Sequence, residues 1–272
     1  MIAPTSVVAR RRGFRLLALL AVSLLVTLGA TSCDPVRATA KDKPILLLHG
    51  WATGGATSCS STFDTMISRL KAQGFTGPFI RVGFYTGDTG CDMNLRSWGS
   101  FDNGSSWKDV AKAFSKYVYE TYTKNGKTVD VVGYSMGGLI ARGGVYGSQT
   151  GQSGFSAPIK VEDVATLGTP HAGAAWYTNF CLWGQCSTMK PGADDIKWVN
   201  ENGNPQGVGG TDWTVFGSDA DQVTPVDSGL YMVLPAAQKV RYSDIPHTGD
   251  GNWTSSQKVL DRVAVALAQP GA

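Results

Sequence analysis

Short, continuous apolar runs alternate with longer segments of helical spacing along most of the chain. Residues 45–48, Ile-Leu-Leu-Leu, lie between Pro44 and His49-Gly50. A run with no polar alternation predicts a strand covered on both faces, as in a parallel sheet. Residues 78–84, 129–132, 161–167, 212–216 and 240–242 predict further strands. Between them, Phe63, Met66, Ile67 and Leu70 predict a helix over 62–73 that stops at Gly74. Val110, Phe114, Val118 and Tyr122 predict a long amphipathic helix over 106–124, closed by Asn125-Gly126. A further helix follows the 129–132 strand and runs to about residue 146. Val259, Val263 and Leu267 predict a closing helix over 255–267. Residues 86–104 are polar and glycine-rich and read as surface loop. Residues 172–210 form a long irregular stretch, best taken as a small cap-like insertion at the carboxyl edge of the sheet. Strands alternating with helices imply an α/β fold with a mostly parallel central sheet flanked by helices, formed by residues 41–272 as one domain.

The first forty residues follow another pattern. Arg10-Arg11-Arg12-Gly13-Phe14-Arg15 is basic, residues 16–30 are apolar and uncharged, and Ala38-Thr39-Ala40 is a small-residue cleavage site. This predicts a secretory signal peptide over 1–40, cut after Ala40, and hence a secreted protein. Arg11-Arg12-x-Phe14 resembles a twin-arginine signal. Ala30-Thr31-Ser32-Cys33 loosely resembles a lipoprotein box, so a lipid anchor on Cys33 is the competing expectation. Loss of the leader removes five arginines and one aspartate, and the formal charge of +3 becomes −1. The basic balance therefore belongs to the leader and gives no support to nucleic-acid binding. Cys59, Cys91, Cys181 and Cys186 remain. Four cysteines in an exported chain predict two disulfides with three possible pairings. Cys181–Cys186 closes a short local loop, which leaves Cys59–Cys91. No zinc-site spacing is present, and no metal or cofactor is expected.

The chemistry centres on Val129-Asp130-Val131-Val132-Gly133-Tyr134-Ser135-Met136-Gly137-Gly138. Gly133-x-Ser135-x-Gly137 is a nucleophile-elbow pattern, and it occurs in the required context of strand, tight turn and helix. A serine hydroxyl attacks only when an oriented base takes its proton. On such elbows the acid and then the base follow the serine in chain order. Of the three histidines, His49, His171 and His247, only His247 lies after both the serine and the acid candidates. Gly217-Ser218-Asp219-Ala220-Asp221 follows the 212–216 strand and offers two carboxylates. Residues two apart in extended chain point to opposite sides. Asp221 is favoured, with Asp219 as the alternative. His49 and His171 are read as structural. The loop after the first strand and the residue after the serine supply oxyanion donors in this arrangement, so the backbone N–H groups of Trp51 and Met136 are the candidates.

Three motifs in order, Pro44-Ile45-Leu46-Leu47-Leu48-His49-Gly50, Val131-Val132-Gly133-Tyr134-Ser135-Met136-Gly137-Gly138 and Thr166-Leu167-Gly168-Thr169-Pro170-His171-Ala172-Gly173, resemble a secreted bacterial lipase/esterase of the α/β-hydrolase superfamily. The resemblance implies an α/β-hydrolase fold and hydrolysis of carboxylic esters, acylglycerols foremost. It implies a Ser135–Asp221–His247 triad, oxyanion donors at Trp51 and Met136, and no cofactor. The substrate would be a small-molecule or lipid ester, met by a monomer in transient contact with a lipid interface. No long apolar lid helix is visible; Trp176, Phe180, Leu182 and Trp183 cluster within the insertion instead. The same triad also serves thioesterases, amidases and polyesterases, and a non-catalytic hydrolase-fold binding protein is a further alternative.

Overall fold

A computed structural model of the chain describes residues 41–102, 104–175 and 184–269. Seven strands, β1 (Ile45–Leu48), β2 (Phe79–Gly83), β3 (Met93–Asn94), β4 (Val129–Tyr134), β5 (Val161–Leu167), β6 (Asp212–Ser218) and β7 (Lys239–Tyr242), form one sheet in the order β3-β2-β1-β4-β5-β6-β7. Every neighbouring pair is parallel. The helices are α1 (Cys59–Ala72), α2 (Trp107–Thr121), α3 (Met136–Gln149), α4 (Gly184–Ser187), α5 (Asp194–Asn200), α6 (Val226–Gly229) and α7 (Gln257–Ala266).

The unbroken apolar runs follow from a core on each side of the sheet. Leu46, Leu48 and Val131 pack with Trp107, Val110 and Phe114 of α2 and with Leu139 and Ile140 of α3. Ile45, Leu47 and Val132 pack on the other side with Phe63, Met66 and Leu70 of α1 and with Val259 and Val263 of α7. Successive strand residues point to opposite faces, so a strand buried on both must be apolar throughout. The α3 helix is buried from Met136 to Ser148.

Several boundaries depart from the sequence reading. The α1 helix starts three residues early, because the Ser58 side chain accepts from the Ser61 N–H and caps it. The α2 helix ends at Thr121, and Thr123–Asn125 form a 3₁₀ turn closed by left-handed Gly126. Residues 86–104 are not loop alone: they contain β3 and a 3₁₀ turn at Leu95–Ser97, with Leu95 and Phe101 buried. The 172–210 segment contributes α5, whose Ile196, Trp198 and Val199 are buried and whose Trp198 ring meets Trp107 and Tyr146. Cys59 and Cys91 are joined. Cys186, in α4, is disulfide-bonded; its expected partner Cys181 and the Trp176, Phe180, Leu182 and Trp183 cluster lie outside the described residues.

Candidate active site

The sheet order places the site. Strands β1 and β4 are neighbours, with Leu48 opposite Gly133. Connections leave them toward opposite edges of the sheet, and a crevice opens beyond their carboxyl ends. The loop after β1 and the turn after β4 therefore meet there.

Ser135 is the turn residue between β4 and α3, with φ 55° and ψ −126°. Among the described residues no other non-glycine residue has positive φ. Such a conformation costs of order 1–3 kcal/mol and persists only where the surroundings enforce it. The glycines of the motif show why the turn can be so tight. A Cβ on Gly133 would stand 2.5 Å from the Gly138 Cα, and one on Gly137 would stand 2.2 Å from the Leu48 carbonyl oxygen. The Ser135 N–H donates to the Leu167 carbonyl at 2.8 Å, and Thr169 Oγ1 donates to the Ser135 carbonyl at 2.9 Å, so β5 and the loop after it brace the turn.

His247 lies in the loop between β7 and α7. Its Nδ1 is 2.8 Å from Asp221 Oδ2 and its Nε2 is 3.0 Å from Ser135 Oγ. An ionised carboxylate only accepts, so Nδ1–H donates to Asp221 and Nε2 is left to accept the serine hydroxyl proton. All three residues are buried. Asp221 Oδ1 accepts from the N–H groups of Val223 and Thr224 at 2.9 and 2.8 Å. Asp219 points away. It is an exposed partner of Arg241, whose guanidinium holds its carboxyl below the usual range. The structure thus brings Ser135, His247 and Asp221 together and leaves Asp219 apart.

Other contacts at the site carry no signal in the sequence. Trp253 Nε1 donates to Asp221 Oδ2 at 2.8 Å. The Tyr134 hydroxyl donates to the His247 carbonyl at 2.7 Å, and the two rings lie 5.4 Å apart. Burial, with the Asp221 charge beside it, raises the Tyr134 pKa and keeps the phenol protonated as a donor. Ser218 Oγ accepts from the Ile245 N–H at 3.0 Å and so ties the loop of the base to the end of β6.

The β1 loop is held by His49. Its Nδ1 meets the Gly50 carbonyl at 2.8 Å, its Nε2 meets Asp88 Oδ2 at 3.0 Å, and its ring stacks on Phe84 with centroids 3.9 Å apart. Asp88 also accepts from the N–H groups of Phe84, Tyr85 and Thr57. Burial acts to raise its pKa, but the bonds from His49 and the backbone outweigh this and hold the carboxyl below its ordinary range. Among the described residues, no acceptor is engaged by the N–H groups of Trp51 or Met136. His171 is wholly buried against Thr166 Oγ1, and burial plus the nearby Arg142 charge keep it neutral.

A cavity of about 290 Å³ opens over Ser135, lined by Trp51, Pro170, Ala174, Met189 and Val223 among others. It has the apolar walls and few convergent polar groups of a small-ligand site. Among the described residues no cluster of three metal-binding side chains occurs.

Residues 44–205, more than half of the 272, match the family model described as palmitoyl protein thioesterase. The match ends before Asp221 and His247, so the geometry alone joins them to Ser135. No curated protein matches the chain. Among solved structures, the mature lipase BlEst2 of Bacillus licheniformis is similar over 87% of this chain and 96% of its own, at 17% identity and a TM-score of 0.53. The phospholipase PlaB of Legionella pneumophila is similar over 84% and 60%, at 13% identity and a TM-score of 0.58. A monoacylglycerol lipase of Paleococcus ferrophilus is similar over 85% and 96%, at 13% identity and a TM-score of 0.51. At these identities the likeness is one of fold, and the fold is that of the α/β-hydrolases.

Proposed function

From the premise that the chain belongs to the palmitoyl protein thioesterase family, we propose that it is an acyl hydrolase, opening carboxylic esters of lipids or small molecules through an acyl-serine at Ser135. The observation that carries this reading is the hydrogen-bonded row Asp221–His247–Ser135, with the serine in strained backbone at a helix start. His247 Nε2 takes the hydroxyl proton as Ser135 Oγ attacks the carbonyl carbon. The tetrahedral oxyanion is met by the N–H groups of Trp51 and Met136. Asp221 keeps Nδ1 protonated and stabilises the imidazolium. That proton then passes from Nε2 to the leaving oxygen, and the alcohol departs. Water repeats the sequence on the acyl-serine, releasing the acid and restoring the hydroxyl. The apolar cavity holds the acyl chain, and no step calls for a metal or cofactor.

The family match favours a second reading, in which the same machinery cleaves thioesters and a thiol leaves in place of an alcohol. A series of p-nitrophenyl esters of rising chain length, run beside thioesters of the same acids, separates the two. Ester turnover that disappears in Ser135→Ala supports the first reading. Turnover confined to the thioesters selects the second. Turnover of neither series, or equal turnover by Ser135→Ala, overturns both. The leader-like opening and the Cys59–Cys91 disulfide support export to an oxidising compartment as part of this reading.

A further inference from the structure

We infer that Trp253 is a positioning residue for the acyl-transfer machinery, with its indole N–H holding the carboxylate of Asp221 in the plane that His247 requires. The inference rests on the triad reading above and goes one residue beyond it. Asp221 is a buried carboxylate that accepts four hydrogen bonds. The Val223 and Thr224 N–H groups take Oδ1, and His247 Nδ1 and Trp253 Nε1 share Oδ2, each at 2.8 Å. With the backbone pair alone, the carboxylate is fastened at Oδ1 and free to pivot about it. The indole removes that freedom, because it fixes the oxygen that faces the imidazole. Indole N–H is a donor only and does not ionise in water, so it directs the carboxylate without taking part in proton transfer.

The donor is itself held in place. Trp253 has no exposed surface and packs with Leu167, Phe216 and Leu260 in the core between the sheet and α7. Space for its bond depends on Gly168, where the backbone is left-handed at φ +53°. A Cβ there would lie 2.3 Å from Trp253 Nε1 and 2.8 Å from Asp221 Oδ2. A phenylalanine ring would also supply apolar filling at position 253. What the indole adds is a donor aimed at the one buried carboxylate in reach.

The full chain carrying 3-benzothienylalanine at position 253, where sulfur replaces the N–H in a ring of nearly the same shape, tests this beside Trp253→Phe. For each, kcat and KM on a p-nitrophenyl ester are measured across pH, with Ser135→Ala as the blank. The expected result for the benzothienyl protein is a kcat about tenfold lower with KM within about twofold. The acidic limb of kcat/KM also moves to higher pH, since Oδ2 then gives its whole acceptor strength to His247. A benzothienyl protein that coincides with wild type overturns the inference, and so does a loss confined to the phenylalanine variant. A fall in kcat without movement of the limb overturns it as well, as damage to packing alone would give. Wild-type activity undiminished in Ser135→Ala would instead overturn the triad reading beneath it.

Discussion

Asp219 and Asp221 stand two residues apart and meet different surroundings. Alternation along extended chain predicts that only one carboxylate faces the base, but not which. The choice is settled by contacts from elsewhere, with Arg241 drawing Asp219 outward and the Val223 and Thr224 N–H groups and Trp253 fixing Asp221. Asp221→Asn is expected to lower kcat by about 10³–10⁴-fold through the wrong imidazole tautomer, and Asp219→Asn to leave it within about twofold; steady-state kinetics on one ester compares them. The pairing of Ser135 with His247 was legible because a motif and a chain order each leave one candidate. Tyr134 and Trp253 were not, because a tyrosine inside a motif and a tryptophan near a helix start have no spacing that reveals a tertiary hydrogen bond.

The segment between β2 and α2 shows the same limit for whole elements. Its polar, glycine-rich composition hides a two-residue strand too short to display a period. It also hides Asp88, which gathers His49 and three backbone N–H groups and so fixes the β1 loop. With the Trp51 N–H as the proposed oxyanion donor, Asp88→Ala is expected to lower kcat by displacing it, by up to the 10²–10³-fold that loss of one such donor brings. The substrate KM should change little, because the apolar cavity walls stay in place. The Cys59–Cys91 bond ties this segment to the start of α1 across 32 residues. Replacing both cysteines by serine should cost about 3–4 kcal/mol of stability if chain entropy dominates, measured by urea unfolding. The long strands and helices, by contrast, were legible from their apolar runs and helical spacing.

Across the whole molecule the candidate active site occupies the carboxyl ends of the strands, and a different charged cluster lies toward the other end. Lys43 Nζ reaches Asp130 at 2.9 Å, Asp163 at 3.2 Å and Glu162 at 3.4 Å. One ammonium thus serves three carboxyls. Among the described residues, Asp130 Oδ2 and Asp163 Oδ1 are buried with no hydrogen-bond partner. Burial raises Asp130 to about 6, against the pull of Lys43, and burial together with Asp130 raises Asp163 to about 7. These values lie above those of the unfolded chain, so the folded protein binds extra protons between about pH 4 and 7, and stability falls as pH rises through that window. Each extra proton contributes a slope of up to about 1.4 kcal/mol per pH unit. Asp163→Asn should flatten the fall, and urea unfolding at pH 5 and pH 8 checks it. An aspartate inside an apolar run was visible in the sequence, but the parallel pairing that stacks two of them beside one lysine was not.

Acyl transfer is proposed to run through Ser135. Its most direct test is reaction of the full chain with a p-nitrophenyl alkylphosphonate, followed by mass spectrometry of the peptides. One equivalent of p-nitrophenol, a single phosphonyl adduct on Ser135, no adduct in Ser135→Ala and slowed labelling in Asp221→Asn are expected. Labelling of another residue, or equal labelling of Ser135→Ala, would contradict it.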